Sequence, residues 1–160
     1  MSYSPDAVVI DANVLIGICA KEINKVLEAT ALINEYSASG SLFYAPSVIA
    51  AEVLYILCNK RQSGELTESG HARAIKYLEA YMSMILPPPN GDTSLIIRAN
   101  EILSGYGCSH STDCLYIALA EDLAKTNEVE LLTFDKGLEK QVAHKALSVK
   151  VHLLTPLIVN

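Results

Sequence analysis

Apolar residues in this chain come in two kinds of run, and their spacing separates strands from helices. Ala7–Ile10 is a short, unbroken, β-branched stretch, the pattern of a strand buried on both faces of a parallel sheet. Leu42–Tyr44 and residues 130–134 repeat the pattern, Ile85-Leu86 is a shorter candidate, and residues 149–154 supply a last strand. Between them, apolar positions recur at helical spacing. Val26, Leu27, Ala31 and Leu32 mark a helix over 24–38, and further helices are predicted over 14–21, 47–60, 70–82, 92–103, 111–126 and 138–144. Pro46 suits the first turn of the third helix, Asp92 and Thr112 are placed to cap later ones, and Gly105-Tyr-Gly107 to end one. Residues 61–69 read as a loop. Pro87-Pro-Pro-Asn-Gly91 is the strongest linker signal, read as a corner rather than a domain boundary. Strands alternating with helices predict one α/β domain over residues 1–160 with a central, mostly parallel sheet.

Composition narrows the class. Of 160 residues, 51% are hydrophobic and 19% charged, which excludes disorder and is ample for a core. The net charge of −6 is even, each half of the chain carrying six basic and nine acidic side chains. That excludes a strongly basic nucleic-acid footprint, so contact with phosphate has to be local or helped by a metal. No secretory signal or membrane-length apolar run stands out, and the four cysteines lack CxxC spacing. A cytoplasmic protein with reduced thiols is expected, with Cys19 and Cys58 as core thiols. Cys108-Ser-His110-Ser-Thr-Asp113 holds nucleophile, base and acid types, but triad members are normally assembled by the fold rather than by adjacency.

Four acids stand where a charge is expensive. Asp11 and Asp135 close two strands, the ends at which parallel sheets bind ligands, although each alone reads equally well as a helix cap. Glu52 has Val48, Ile49, Tyr55 and Ile56 three and four residues away, so it lies on the core-facing stripe of its helix. It needs either a long-range partner, such as Arg73, Arg98 or a lysine, or a bound cation. Asp113 occupies a first turn, which the helix dipole favours, yet shares the apolar face of Tyr116 and Ile117. Tyr55 and Tyr116 read as core residues. Carboxylates gathered without matching cations suit a hard divalent ion, Mg²⁺ or Mn²⁺, and such a centre suits phosphodiester hydrolysis. Zinc is disfavoured, because no Cys/His group has the spacing. Asp11-Ala-Asn13 is similar to the Asp-x-Asp of aspartyl-phosphate phosphatases, but Asn13 cannot donate the proton that their second acid supplies.

Val9-Ile-Asp11-Ala-Asn13-Val-Leu15, then Ser47 to Glu52, then Thr112-Asp113-x-x-x-Ile-Ala118-Leu-Ala120, then Leu132-Thr-Phe-Asp135 resemble the PIN-domain ribonucleases in order and context. The resemblance runs from about Val8 to Asp135. It implies a three-layer α/β/α sandwich. It also implies an acidic tetrad, Asp11, Glu52, Asp113 and Asp135, holding Mg²⁺ or Mn²⁺, with Asn13 and Thr133 as supporting polar groups. The substrate it implies is single-stranded or structured RNA. Many small bacterial members are toxins paired with an antitoxin protein, and many form homodimers; this chain is longer than the most compact of them, around residues 61–91. A catalytically inactive PIN-like protein- or RNA-binding module and a metal-dependent phosphatase are the alternatives.

Overall fold

The computed structural model describes residues 3–108, 112–145 and 148–158. Its centre is a five-stranded, all-parallel sheet: β1 (Ala7–Ile10), β2 (Leu42–Tyr44), β3 (Ile85–Leu86), β4 (Val129–Thr133) and β5 (Lys150–Leu153), in the spatial order β3-β2-β1-β4-β5. The two central strands are the most apolar, because both of their faces are covered: Val8, Val9, Ile10, Leu131 and Leu132 have no exposed surface. Ala7 stands opposite Val129 and Ile10 opposite Leu132, and the Asp11 amide continues the ladder to the Leu132 carbonyl at 3.0 Å.

From β1 the chain steps outward to β2 and β3, then crosses back to β4 and steps the other way to β5. The β1–β4 junction is therefore the topological switch point, where neighbouring connections leave in opposite directions and open a crevice at the carboxyl ends of the strands. One helical layer gathers α1 (Ala12–Cys19), α2 (Val26–Ala38), α3 (Ile49–Gln62) and α4 (Glu68–Met82) around α1. The other pairs α5 (Ile96–Gly105) with α6 (Asp113–Ala124), and α6 lies directly on β1 and β4. That contact explains the apolar composition of α6, in which Tyr116, Ile117, Leu119 and Ala120 are fully buried. The last helix, α7 (Lys136–Lys145), packs on β5, and the Tyr106 hydroxyl beyond α5 donates to its Lys140 carbonyl at 3.0 Å. The α/β/α sandwich with a parallel sheet is the fold expected.

Several local expectations change. Helix α4 begins at Glu68 rather than Gly70, because Thr67 accepts the Gly70 N–H at 3.0 Å and caps it, shortening the loop before it. Asp92 does not cap a helix. It opens a short 3-10 turn (Asp92–Leu95), and its carboxylate instead takes the N–H of Ser47, at 2.9 Å, and the Ser47 hydroxyl, tying the proline corner to the approach to α3. Cys58 and Tyr55 are exposed, not core, because the inner face of α3 is filled by Ile49, Val53 and Leu57. Helix α5 ends at Gly105 as expected, and Gly107 then adopts φ +62°, which glycine takes without strain. Among the described residues, no helix is long and apolar enough to cross a membrane.

Candidate functional site

Asp11 lies at the switch point, only 6% exposed, between the end of β1 and the start of α1. It occupies the capping position of α1, yet its side chain makes no capping hydrogen bond. The Thr133 hydroxyl at the end of β4 donates to Asp11 Oδ2 at 2.7 Å instead. That hydroxyl also accepts from Asn13 Nδ2 at 3.1 Å and from the Asp135 amide at 2.9 Å, which uses its one proton and both lone pairs. Asn13 Oδ1 in turn accepts the Phe134 amide at 3.1 Å. Asn13 and Thr133 thus stitch together the ends of the two central strands around Asp11.

The other acids arrive from three elements. Glu52, half-buried on α3, reaches toward α6: Tyr116 donates its hydroxyl to Oε1 at 3.0 Å and Thr112 donates to Oε2 at 3.2 Å. Thr112 does stand at the cap position of α6, but its hydroxyl serves Glu52 and makes no cap bond, which corrects the capping expectation. Asp113, half-buried in the first turn of α6, accepts from Gln141 Nε2 on α7 at 3.2 Å. Asp135 follows β4 by two residues, and its Oδ1 accepts the Gly137 amide at 2.7 Å, a turn at the start of α7. The cap reading therefore holds for Asp135 and fails for Asp11. Of the Cys108–Asp113 run, Ser109, His110 and Ser111 lie outside the described residues.

Burial and neighbouring carboxylates act together on Asp11. Burial, reinforced by the charges of Asp113 and Glu52, pushes the Asp11 carboxyl up to about 7, against the opposing hydrogen bonds from Thr133 and the Ala12 amide. Burial, and then the charge of Glu52, raises the Tyr116 phenol far above its usual range, so it stays a proton donor. Among the described residues, Asp11, Glu52 and Asp135 make no ion pair with lysine or arginine. Arg98, a candidate partner for Glu52, is taken by Glu121 at 2.6 and 2.9 Å and by Glu101 at 3.0 Å. The Asp11 carboxyl thus feels both Asp113 and Glu52, while Thr133 joins Asp135 to Asp11.

Among the described residues, no three carboxylate, imidazole or thiol side chains form a ready-made metal cage. Glu52 is held by α6, Asp113 by α7 and Asp135 by the backbone. The donor set nonetheless fits Mg²⁺ or Mn²⁺. It is all oxygen, and such ions usually keep several waters and take only one or two carboxylates. Asp11 is also a buried acid with carboxylate neighbours and no cation partner among the described residues.

Tyr116, Thr112 and Gln141 escaped the sequence reading, though Thr112 and Tyr116 are spaced i, i+4 on the helix that carries Asp113. So did Glu130 of β4, 2% exposed, which holds Lys150 at 2.7 Å, lies 3.4 Å from His152 and receives the Tyr36 hydroxyl. Burial alone would raise the Glu130 carboxyl, but the hydrogen bonds from Lys150 and Tyr36 outweigh it and hold the group below its usual range. These side chains line a separate cleft of about 580 Å³.

Comparison with known proteins agrees with this fold. No curated protein matches the chain. Among solved structures, the fold is similar to that of a chain in the crystal structure of VapBC2 from Rickettsia felis bound to a DNA fragment from their promoter. The TM-score is 0.62 at 13% identity, over 92% of this chain and 98% of that one. The PIN domain profile matches residues 8–143, a span that starts on β1 and ends within α7. The chain belongs to the PIN-domain family, whose members are generally nucleases and typically use divalent metals.

Proposed function

We propose that this protein is a ribonuclease that hydrolyses phosphodiester bonds of single-stranded or structured RNA with Mg²⁺ or Mn²⁺. One observation carries the reading: Asp11 is buried at the switch point with Asp113 and Glu52 acting on its charge and no ion pair to relieve it among the described residues. Asp11, Glu52 and Asp113 would hold the ion, with Asp135 completing the pocket or serving a weaker second one. A divalent ion there would supply Lewis-acid chemistry for attack of water on phosphorus. The chain's own residues do the preparatory work. Thr133 and Asn13 fix Asp11, Gln141 holds Asp113, and exposed Lys136 beside Asp135 offers a contact for an RNA phosphate.

On this reading residues 1–160 form one cytoplasmic PIN domain, with an antitoxin protein and a second copy of the chain, in a homodimer, as partners. The likeness to a chain of VapBC2, which was crystallised on a DNA fragment from their promoter, supports the antitoxin. A test is cleavage of a labelled single-stranded RNA in Mn²⁺ or Mg²⁺ by purified wild-type protein and Asp11→Asn. Cleavage by the wild type alone supports the reading, and an unchanged rate in Asp11→Asn refutes it. The absence of a ready-made cage among the described residues favours a second reading, a non-catalytic binding module. That reading expects no thermal stabilisation by millimolar Mn²⁺.

A further inference from the structure

We propose that Tyr116 and Thr112 are positioning residues that hold the Glu52 carboxylate ready for the metal, so that α6 sets the placement of two ligands, Asp113 and Glu52. The inference rests on the ribonuclease reading above and adds the question of what aims its second acid.

A glutamate on a helix has three side-chain torsions and, left alone, samples many rotamers. Glu52 has to point from α3 across to α6, and nothing on α3 itself makes it do so. Both of its oxygens are instead taken by α6, Oε1 by Tyr116 at 3.0 Å and Oε2 by Thr112 at 3.2 Å. The two donors are four residues apart on one helical face and bracket Asp113 in the same turn. Tyr116 has no exposed surface, so packing fixes its hydroxyl. Thr112 spends on Glu52 the hydroxyl that a residue in its position normally spends on its own helix end. Each Glu52 oxygen accepts one hydrogen bond and keeps lone-pair capacity for a cation. Neither donor is a catalytic residue; both act through Glu52.

The test measures Mn²⁺ affinity of the full chain from the electron paramagnetic resonance signal of free Mn²⁺. The proteins are wild type, Tyr116→Phe, Thr112→Val, Glu52→Gln and the Tyr116→Phe/Glu52→Gln double variant. Loss of a group that orients a metal ligand typically weakens binding about 10–100-fold, and Tyr116→Phe is expected to lose about tenfold, with Thr112→Val losing less. With Glu52→Gln in place, adding Tyr116→Phe should change affinity little, because the carboxylate it aims is gone. Tyr116→Phe binding as tightly as wild type, or losing as much with Glu52→Gln as without it, overturns the proposal. Should Tyr116→Phe fail to fold, Thr112→Val on its half-buried side chain decides, and wild-type affinity there overturns it. Wild-type protein that binds no Mn²⁺ sinks the ribonuclease reading and this inference together. Wild-type protein that binds and cleaves beside an unaffected Tyr116→Phe sinks this inference alone.

Discussion

Asp11 is the residue at which stability and chemistry conflict. Its carboxyl titrates near 7 in the folded chain and near 3.9 in an unfolded one, so the native state binds the extra proton between these values. The sign follows: without metal, this group makes the protein less stable as pH rises from about 4 to about 7, and the full penalty stands above that. Asp11→Asn removes the charge and keeps the shape. It should raise the stability of the metal-free protein at pH 8 by roughly 2 kcal/mol, about 4–8 °C in Tm, while its benefit fades toward pH 5. Calorimetry at the two pH values checks this, and a variant less stable than wild type at pH 8 contradicts it. Thr133 has the opposite character. Thr133→Val removes a donor to Asp11 and an acceptor for Asn13 and the Asp135 amide, and should destabilise by about 1–3 kcal/mol in denaturant melts. A loss below about 0.5 kcal/mol would mean that water replaces the hydroxyl at no penalty.

Among the elements, α3 carries Glu52 but does not start in isolation. Asp92 grips both the N–H and the hydroxyl of Ser47 just ahead of it, so the corner after β3 fixes the approach to the helix. In the same helical layer, Tyr36 of α2 satisfies buried Glu130 of β4. Tyr36→Phe leaves that carboxylate short of a donor and should cost about 1.5–3 kcal/mol, read from urea unfolding, with no loss of Mn²⁺ affinity. Weakened Mn²⁺ binding would link this cluster to the acids and contradict their independence.

Periodicity made the strands, the helical stretches and the parallel sheet legible, since buried central strands are continuously apolar. It also flagged Asp11, Glu52, Asp113 and Asp135 as acids in costly places. What it missed depends on contacts between elements distant in sequence. Tyr116 looked like core because it is core, and its hydroxyl finds Glu52 only once α3 and α6 face each other. Thr112 and Asp92 looked like caps because capping is the commonest local use of such residues, and tertiary partners claimed them instead. Glu130 was hidden inside an apolar strand, as its partners Tyr36, Lys150 and His152 come from α2 and β5. Tyr55 and Cys58 were misplaced because α3 buries one stripe only.

At the scale of the whole molecule, the proposed ribonuclease function would require an acidic chain of net charge −6 to recognise a polyanion. Broad electrostatic attraction is absent, so RNA binding should lean on the divalent ion and on few basic side chains. Each phosphate neutralised on a single strand contributes about 0.7 to the slope of log affinity against log salt. A slope shallower than about 2 in magnitude is expected for a non-cleavable RNA in Mn²⁺, with little binding in chelator. A slope near 5 would reveal a basic surface, supplied by a second copy or a partner. The most direct measurement of the central claim is anomalous diffraction at the manganese edge from crystals soaked in Mn²⁺. A peak is expected beside Asp11, bounded by Glu52 and Asp113, and it should vanish in Asp11→Asn; no peak there, or the same peak in the variant, would contradict the claim.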